Sequence, residues 1–201
     1  SVYGLEHRGH GRSSNLNLKE KSQIHIDSFD YYIEDLKIFM DEIVQKKGNS
    51  VFLFAHSMGG AIGTLFLEKY QEYFEKAVLS SPMMEINTGS YSENMAYLIS
   101  KFFIAIGKGK NYIFGQGPFN GEYNLEESAT SNKYRYSRHL NVLRENEVLQ
   151  RSGGSFRWIN EAIKATRKLK KEENIKKIQI PILLFQSGKD TFVNDEGHNT
   201  F

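Results

Sequence analysis

A chain of 201 residues with 39% hydrophobic and 25% charged content can bury one sizeable core, and its length suits a single domain carrying an insertion. A net charge of +2 is too small to point to nucleic acid, and with no cysteine there is neither a disulfide framework nor a thiolate metal site, which fits a reducing compartment. No apolar run approaches the ~20 residues that a membrane-spanning helix needs, so the chain is expected in the cytoplasm or at the periphery of a membrane.

Val2–Leu5 reads as a short strand that runs into Glu6-His7-Arg8-Gly9-His10-Gly11-Arg12-Ser13, a loop rich in glycine and basic residues. Gly9-x-Gly11 lacks both a third glycine at dinucleotide spacing and a Gly-Lys-Ser/Thr ending, so a turn held by Arg8 and Arg12 on nearby carboxylates is expected there and not a phosphate cradle. Asp27-Ser28 then offers a helix cap. Phe29, Tyr32, Ile33, Leu36, Phe39, Met40, Ile43 and Val44 recur at spacings of three and four, which predicts an amphipathic helix lying on a sheet and closed by Lys46-Lys47-Gly48.

Val51-Phe52-Leu53-Phe54 is an unbroken apolar run, and it predicts a strand buried on both faces of a parallel sheet. It enters Ala55-His56-Ser57-Met58-Gly59-Gly60-Ala61, whose small residues suit a sharp strand-to-helix turn with Ser57 at strained backbone angles. That pattern reads as a nucleophile elbow, with Ala55 where the usual Gly-x-Ser-x-Gly form has its first glycine. An elbow lifts the serine oxygen clear of the backbone. It also aims the N–H of Met58 at a developing oxyanion, beside a helix N-terminus whose dipole favours negative charge. The plain alternative is that Ser57 only caps the helix. His56 is adjacent on a sharp turn, where neighbouring side chains point apart, and reads as a packing or wall residue.

A helix from about Met58 to Tyr70, with Ile62, Leu65 and Phe66 inward, and a strand over Ala77–Pro82 continue the rhythm of a parallel α/β sheet. From Met83 to about Ala165 that rhythm breaks. Met95, Leu98, Ile99, Phe102, Phe103 and Ile106 form a helical stripe stopped by Gly107 and Gly109, and Tyr112, Phe114 and Phe119 follow in a loop. An insertion at this point is where a cap would sit, most of its stripe packing inward and a few residues lining a pocket for an acyl chain. Gly153-Gly154-Ser155-Phe156-Arg157-Trp158 leads into a further helix with Ile159, Ala162 and Ile163 inward. The basic run Lys164–Lys177 reads as a solvated helix face, with attraction to an anionic membrane surface as the alternative. Ile180–Phe185 is a strand, and Gln186-Ser187-Gly188-Lys189 turns the chain into Asp190 at its carboxyl end, where α/β sheets place functional groups. Asp190 is read either as the orienting acid of a serine triad or as a cap for the next helix. The expected division is a core of residues 1–82 and 166–201 interrupted by a helical cap of residues 83–165.

The segments Glu6–Ser13, Ile26–Leu36, Ala55–Ala61 and Gly188–Val193 resemble the α/β-hydrolase family of bacterial lysophospholipases and monoacylglycerol lipases, serine aminopeptidase-like hydrolases. Tyr134-Arg135-Tyr136, Gly153-Gly154 and Arg157-Trp158 are similar to the lysophospholipase branch in particular. The resemblance implies an α/β fold, a doubly wound and mostly parallel sheet with a helical cap insertion. It implies a serine hydrolase that cleaves carboxylic esters of lipids, lysophospholipid or monoacylglycerol, through an acyl-enzyme. Ser57 would be the nucleophile, Asp190 the acid and the Met58 N–H one oxyanion donor. Neither a cofactor nor a metal is implied; the expected partners are a lipid or other ester substrate, with peripheral membrane contact and no nucleic acid. A small-ester esterase, an aminopeptidase-like hydrolase and a noncatalytic lipid-binding relative are the alternatives.

In such enzymes a histidine follows the acid after one more strand, and a second oxyanion donor precedes the strand matched by Val2–Leu5. The catalytic histidine is therefore expected beyond residue 201. His198 comes too soon, and His7, His10, His25, His56 and His139 all precede the acid. The chain opens without methionine on an extended segment and stops inside a helix-like one, so it is expected to be a piece truncated at both ends. Matched to the family, Val2–Leu5 is the fourth strand and Val51–Phe54 the fifth, and the third, which belongs between them, is missing. Its absence is expected to expose Phe29, Tyr32 and Leu36 and to leave these residues alone inactive and poorly folded.

Overall fold

A computed structural model describes residues 1–13, 18–45, 48, 50–126 and 128–201 and divides the chain into two compact units. The first unit comprises Ser1–Leu5, Phe29–Glu93 and Ala162–Phe201, and the second comprises Glu6–Ser28 and Asn94–Glu161.

In the first unit the apolar runs pair as a parallel three-stranded sheet of β1 (Phe52–His56), β2 (Lys76–Ser80) and β3 (Ile182–Phe185), in that order. The register sets Leu53 beside Ala77 and Ala77 beside Ile182, and likewise Ala55 beside Leu79 and Leu79 beside Leu184. The crossover from β1 to β2 is α2 (Met58–Tyr70), in which every residue from Gly60 to Leu67 is buried. Such all-round burial follows from a helix that carries no charge until its last turn and packs on the sheet. Preceding β1, α1 (Asp30–Phe39) runs into a π-helical turn (Met40–Val44) and buries Tyr32, Ile33, Leu36, Met40 and Val44. Lys46 and Lys47, expected to close this helix, lie outside the described residues.

Several expectations are corrected here. Val2–Leu5 belongs to no strand. Asp27-Ser28 does not cap α1, which starts after Phe29 without a side-chain cap. Asp27 Oδ1 instead lies 3.4 Å from Arg157 Nε and 3.5 Å from His25 Nε2 within the second unit. Nor is β1 buried on both faces. A strand alternates its side chains, and only the face of Ala55, Ala77 and Leu79 is covered; on the other, Phe52 is 60%, Phe54 72%, Leu183 54% and Phe185 56% exposed. Phe29, Tyr32 and Leu36, by contrast, are buried, because α1 packs against α2 and its apolar stripe does not depend on a neighbouring strand.

The second unit holds the Glu6–Ser13 loop through Glu6 and Arg151. The Glu6 carboxylate accepts the Arg12 backbone N–H at 2.8 Å, and Arg151 Nε donates to the Gly9 carbonyl at 2.6 Å. Of the two arginines expected to pair there, Arg12 thus contributes its backbone. Ile24 bridges Gly154, and His25 Nδ1 lies 2.7 Å from Ser155 Oγ. In α3 (Glu93–Ala105), Phe103 stacks on Phe156 at 4.1 Å and meets Phe114 edge-on. Met95, Leu98, Phe102 and Ile106 of the same stripe are exposed, so most of it does not pack inward as expected. A helix absent from the sequence reading, α4 (Lys133–Glu145), is capped by Asn132, whose Oδ1 accepts the Arg135 N–H at 3.0 Å.

Helix α5 (Phe156–Leu169) begins in the second unit and ends in the first, burying Ile159, Ala162 and Ile163 as its periodicity predicts. Two short helices complete the first unit, α6 (Glu172–Ile175) before β3 and α7 (Asp195–Thr200) after it. The basic run is only partly a solvated face. Arg167 pairs with Glu93 at 2.7 Å, and Lys170 with Glu85 at 2.6 Å and Glu93 at 3.3 Å.

Candidate functional site

Because the three strands are parallel, their carboxyl ends share one edge of the sheet, and the loops that leave it carry Ser57, Ser81-Pro82 and Asp190. Ser57 follows β1 directly with φ 51° and ψ −122°, in the left-handed half of backbone space that L-residues avoid. Its side chain makes no capping bond to α2. The helix-cap alternative therefore has no hydrogen bond to rest on, while the strained turn is the one an elbow requires.

The backbone around Ser57 is fully engaged. Its N–H donates to the Ser80 carbonyl at 3.1 Å, and its carbonyl accepts the N–H groups of Gly60 at 2.9 Å and Met83 at 2.9 Å. Gly60 cannot be larger: a Cβ there would sit 2.5 Å from the Cβ and 2.7 Å from the Cα of Pro82. Met58 is the first residue of α2, and its N–H has no acceptor within the helix. That leaves a donor one residue beyond the hydroxyl, where an oxyanion formed at Ser57 would need it.

Asp190 is the fifth residue after β3, and its Oδ1 accepts the N–H groups of Phe192 at 2.9 Å and Val193 at 3.0 Å. These bonds fix the carboxylate and leave Oδ2 for another donor. The side chain thus closes its own turn and does not cap the next helix, since the N-cap of α7 is Asn194. The loop is tied down by the segment after β2. Asn87 donates its backbone N–H to the Phe192 carbonyl at 2.9 Å and its side-chain amide to the Thr191 carbonyl at 3.0 Å, and Ile86 bridges Val193. Glu85 accepts from the side chain of Asn194 at 3.1 Å and from Lys170. Burial opposes its negative charge, but the bonds from Lys170 and Asn194 outweigh that and hold the Glu85 carboxyl below its ordinary value.

Both histidines of the first unit are committed elsewhere. His56 is exposed, with Nδ1 donating to the Ser80 carbonyl at 2.9 Å; His198 is buried, with Nε2 donating to the Pro82 carbonyl at 2.6 Å. Among the described residues the Ser57 hydroxyl bonds to no histidine, and no group of three or more His, Asp or Glu side chains is arranged to hold a metal. Sequence reasoning missed Ser81, among the described residues the other non-glycine residue with positive φ, at 41°. The local sequence carried no signal for it, since a residue before proline is ordinarily pushed to extended backbone with negative φ.

The family described as serine aminopeptidase, S33, matches residues 1–201. The chain is 32% identical over 193 residues to the probable lysophospholipase L2 of Haemophilus influenzae, covering 96% of this chain and 59% of that protein. It is 29% identical over 199 residues to lysophospholipase L2 of Escherichia coli K12, covering 98% of this chain and 57% of that one. Among solved structures, a soluble variant of monoglyceride lipase from Saccharomyces cerevisiae in complex with a substrate analog superposes with a TM-score of 0.71 at 20% identity, over 98% of this chain and 61% of that chain. That likeness shows the fold, an α/β-hydrolase fold. The chain spans under three fifths of the length of these two curated relatives, 59% and 57%.

Proposed function

Because the chain belongs to the serine aminopeptidase S33 family, we propose that it carries the nucleophile and the acid of a serine hydrolase acting on carboxylic esters of lipids, lysophospholipid or monoacylglycerol. The observation that carries this reading is the backbone of Ser57: positive φ at the carboxyl end of a parallel strand, with a hydroxyl that caps nothing. In the reaction proposed, Ser57 Oγ forms a bond to the ester carbonyl carbon while its proton passes to a histidine. The carbonyl oxygen becomes an oxyanion facing the Met58 N–H, and the tetrahedral intermediate then expels the alcohol, which takes the proton back. Water hydrolyses the acyl-enzyme by the same steps and releases the fatty acid. Asp190 orients the histidine and stabilises its charged form without exchanging a proton.

We place that histidine beyond residue 201, where the family order sets it after the acid and one more strand; neither His56 nor His198 bonds to the Ser57 hydroxyl. A second oxyanion donor is placed outside these 201 residues too. The division into a core, residues 1–82 and 166–201, and a cap, residues 83–165, belongs to the same proposal, as does peripheral contact with the lipid surface that supplies the substrate. A fluorophosphonate probe applied to the polypeptide that includes the base tests the reading, because only an activated serine is labelled. Labelling mapped to Ser57 is expected; a protein that binds lipid yet stays unlabelled would instead be a noncatalytic relative. A panel of lysophospholipid, monoacylglycerol, short ester and aminoacyl anilide then separates the lipid esterase from a small-ester esterase or an aminopeptidase.

A further inference from the structure

His198 is one of the few ionisable side chains to be almost wholly buried, and it stands eight residues after Asp190 on α7. Its Nε2 lies 2.6 Å from the carbonyl oxygen of Pro82. A carbonyl only accepts, so Nε2 carries the proton. Nδ1 is buried without a hydrogen-bond partner, its nearest charge being Asp195 Oδ1 at 4.0 Å. The carbonyl that His198 holds belongs to the same peptide group as the N–H of Met83, and that N–H donates to the carbonyl of Ser57 at 2.9 Å. One planar peptide therefore connects the imidazole to the nucleophile's own backbone, accepting at one end and donating at the other. Hydrogen bonds in such a chain polarise one another and strengthen together.

Packing leaves this connection little slack. On one side of the peptide Pro82 presses against Gly60, where a Cβ would come within 2.5 Å of it. On the other, α7 lies directly on the chain after it: a Cβ at Gly197 would meet the backbone N of Glu85 and the carbonyl carbon of Met84 at 2.8 Å. The same segment carries the Ile86–Val193 bridge and the Asn87 bonds that hold the Asp190 loop.

We propose that His198 is a positioning residue for the hydrolase reaction, coupling the acid's loop to the strained turn of Ser57 through the Pro82–Met83 peptide. It touches neither substrate nor the reacting atoms, and the inference rests on the reading of Ser57 as nucleophile. The Pro82 carbonyl also accepts the Met84 N–H at 2.8 Å, so removing the His198 bond takes away one of its two donors and loosens the Pro82–Met83 peptide, and with it the N–H that pins the Ser57 carbonyl. Serine geometry then varies without any change at the hydroxyl.

Two substitutions of one chemical class test this, in the polypeptide that includes the proposed base. Glutamine places an amide N–H as far along its side chain as Nε2 of histidine; asparagine stops one bond short. His198→Asn is expected to lower kcat about 10- to 100-fold with KM within about twofold, the scale of a misplaced catalytic group. His198→Gln is expected to keep kcat within about threefold of wild type. Exchange of the Met83 amide hydrogen, which requires no turnover, is expected to quicken in His198→Asn and to stay slow in His198→Gln. Equal kcat in the two variants, or Met83 exchange unchanged in His198→Asn, would overturn the proposal. Should His198→Asn fail to fold, His198→Gln decides alone: kcat lost at a wild-type melting temperature overturns it and kcat retained supports it. Ser57→Ala run alongside separates the two readings. If turnover survives that substitution, the nucleophile assignment falls and this proposal with it; if it is lost there but intact in His198→Asn, only the positioning role falls.

Discussion

Ser57 holds a backbone conformation that costs an L-residue about 1–3 kcal/mol, and nothing in its own capping chemistry repays it. Strain held at a residue that caps nothing is what the proposed role of Ser57 as nucleophile requires. In the polypeptide that turns over ester, Ser57→Ala should lower kcat by several orders of magnitude while the melting temperature stays near wild type. Ser57→Gly should be as inactive but more stable, by roughly 1 kcal/mol, because glycine meets positive φ without crowding. Denaturant unfolding of the three proteins checks both, and a glycine variant no more stable than the alanine one would deny the strain. At Asp190 one oxygen is bound by its own turn and the other is left for a partner, so Asp190→Asn preserves the turn and removes the charge. Turnover should fall on the order of 10⁴-fold with lipid binding little changed. Parallel losses in both measurements would reduce Asp190 to a turn residue. Glu68, on α2, is a residue that the mechanism does not use; burial pushes its carboxyl up to about 7, against the pull of Lys168, Lys177 and Lys69. A folded value above the unfolded one of ~4.3 means that the folded chain prefers the proton, so this group costs stability as pH rises from ~4.3 to about 7, and the cost then stays constant. Glu68→Gln should therefore stabilise the protein more at pH 8 than at pH 5, read from unfolding midpoints at the two values.

Elements in this chain are positioned by pairings that short sequence windows do not contain. The loop after β3 is held by the segment after β2, and that segment is held in turn by Lys170, the residue that follows α5, through Glu85. Charge compensates for burial in this pair: burial opposes the ammonium of Lys170, but Glu85 and Glu93 outweigh it and raise its value, while Glu85 is lowered. Glu85 thus contributes stability that is present above its unfolded value of ~4.3 and lost as pH falls through its folded value. The Lys170 contribution is present below its unfolded value of ~10.4 and lost as pH rises through its folded value. Both are in place across neutral pH. Lys170→Met should destabilise by roughly 2 kcal/mol at pH 7, after discounting for the water that reaches the pair, and should flatten both limbs of the pH–stability curve. A variant whose curve ran parallel to wild type at every pH would show that the pair contributes nothing. The basic run reads as a solvated face because runs of charge usually form one. Its partners Glu85 and Glu93 lie far back in the chain, Glu85 a full 85 positions before Lys170.

For the molecule as a whole, the apolar face of the sheet is the dominant unmet demand. Phe52, Phe54, Leu183 and Phe185 project from one side, with Val78 half-buried between them, and an exposed cluster of that size favours association. Residues 1–201 alone should therefore self-associate at micromolar concentration, and a Phe54→Lys, Phe185→Lys double variant should shift sedimentation toward a single species. They should also hydrolyse no lipid ester, since Ser57 has no base among the described histidines of its unit. Lysophospholipid release at the rate of a polypeptide carrying the base would refute that.

How much of this was legible in the sequence follows from the range of the forces involved. The strand–turn–helix unit from Phe52 to Tyr70, the apolar stripe of α1 and the inward face of α5 are encoded locally, by spacing and by small residues at the turn, so the sequence alone determined them. The helix α4 escaped because Lys-Tyr-Arg-Tyr-Ser-Arg-His around so few aliphatic residues leaves its stripe weak. Which face of β1 is covered, which carboxylates meet Arg167 and Lys170, and how Asp190 divides its two oxygens were decided by the tertiary structure. So was the bond of His198 to Pro82, across 116 residues. Burial and hydrogen bonding depend on what the fold brings alongside, and the local pattern of either partner carries no record of the other.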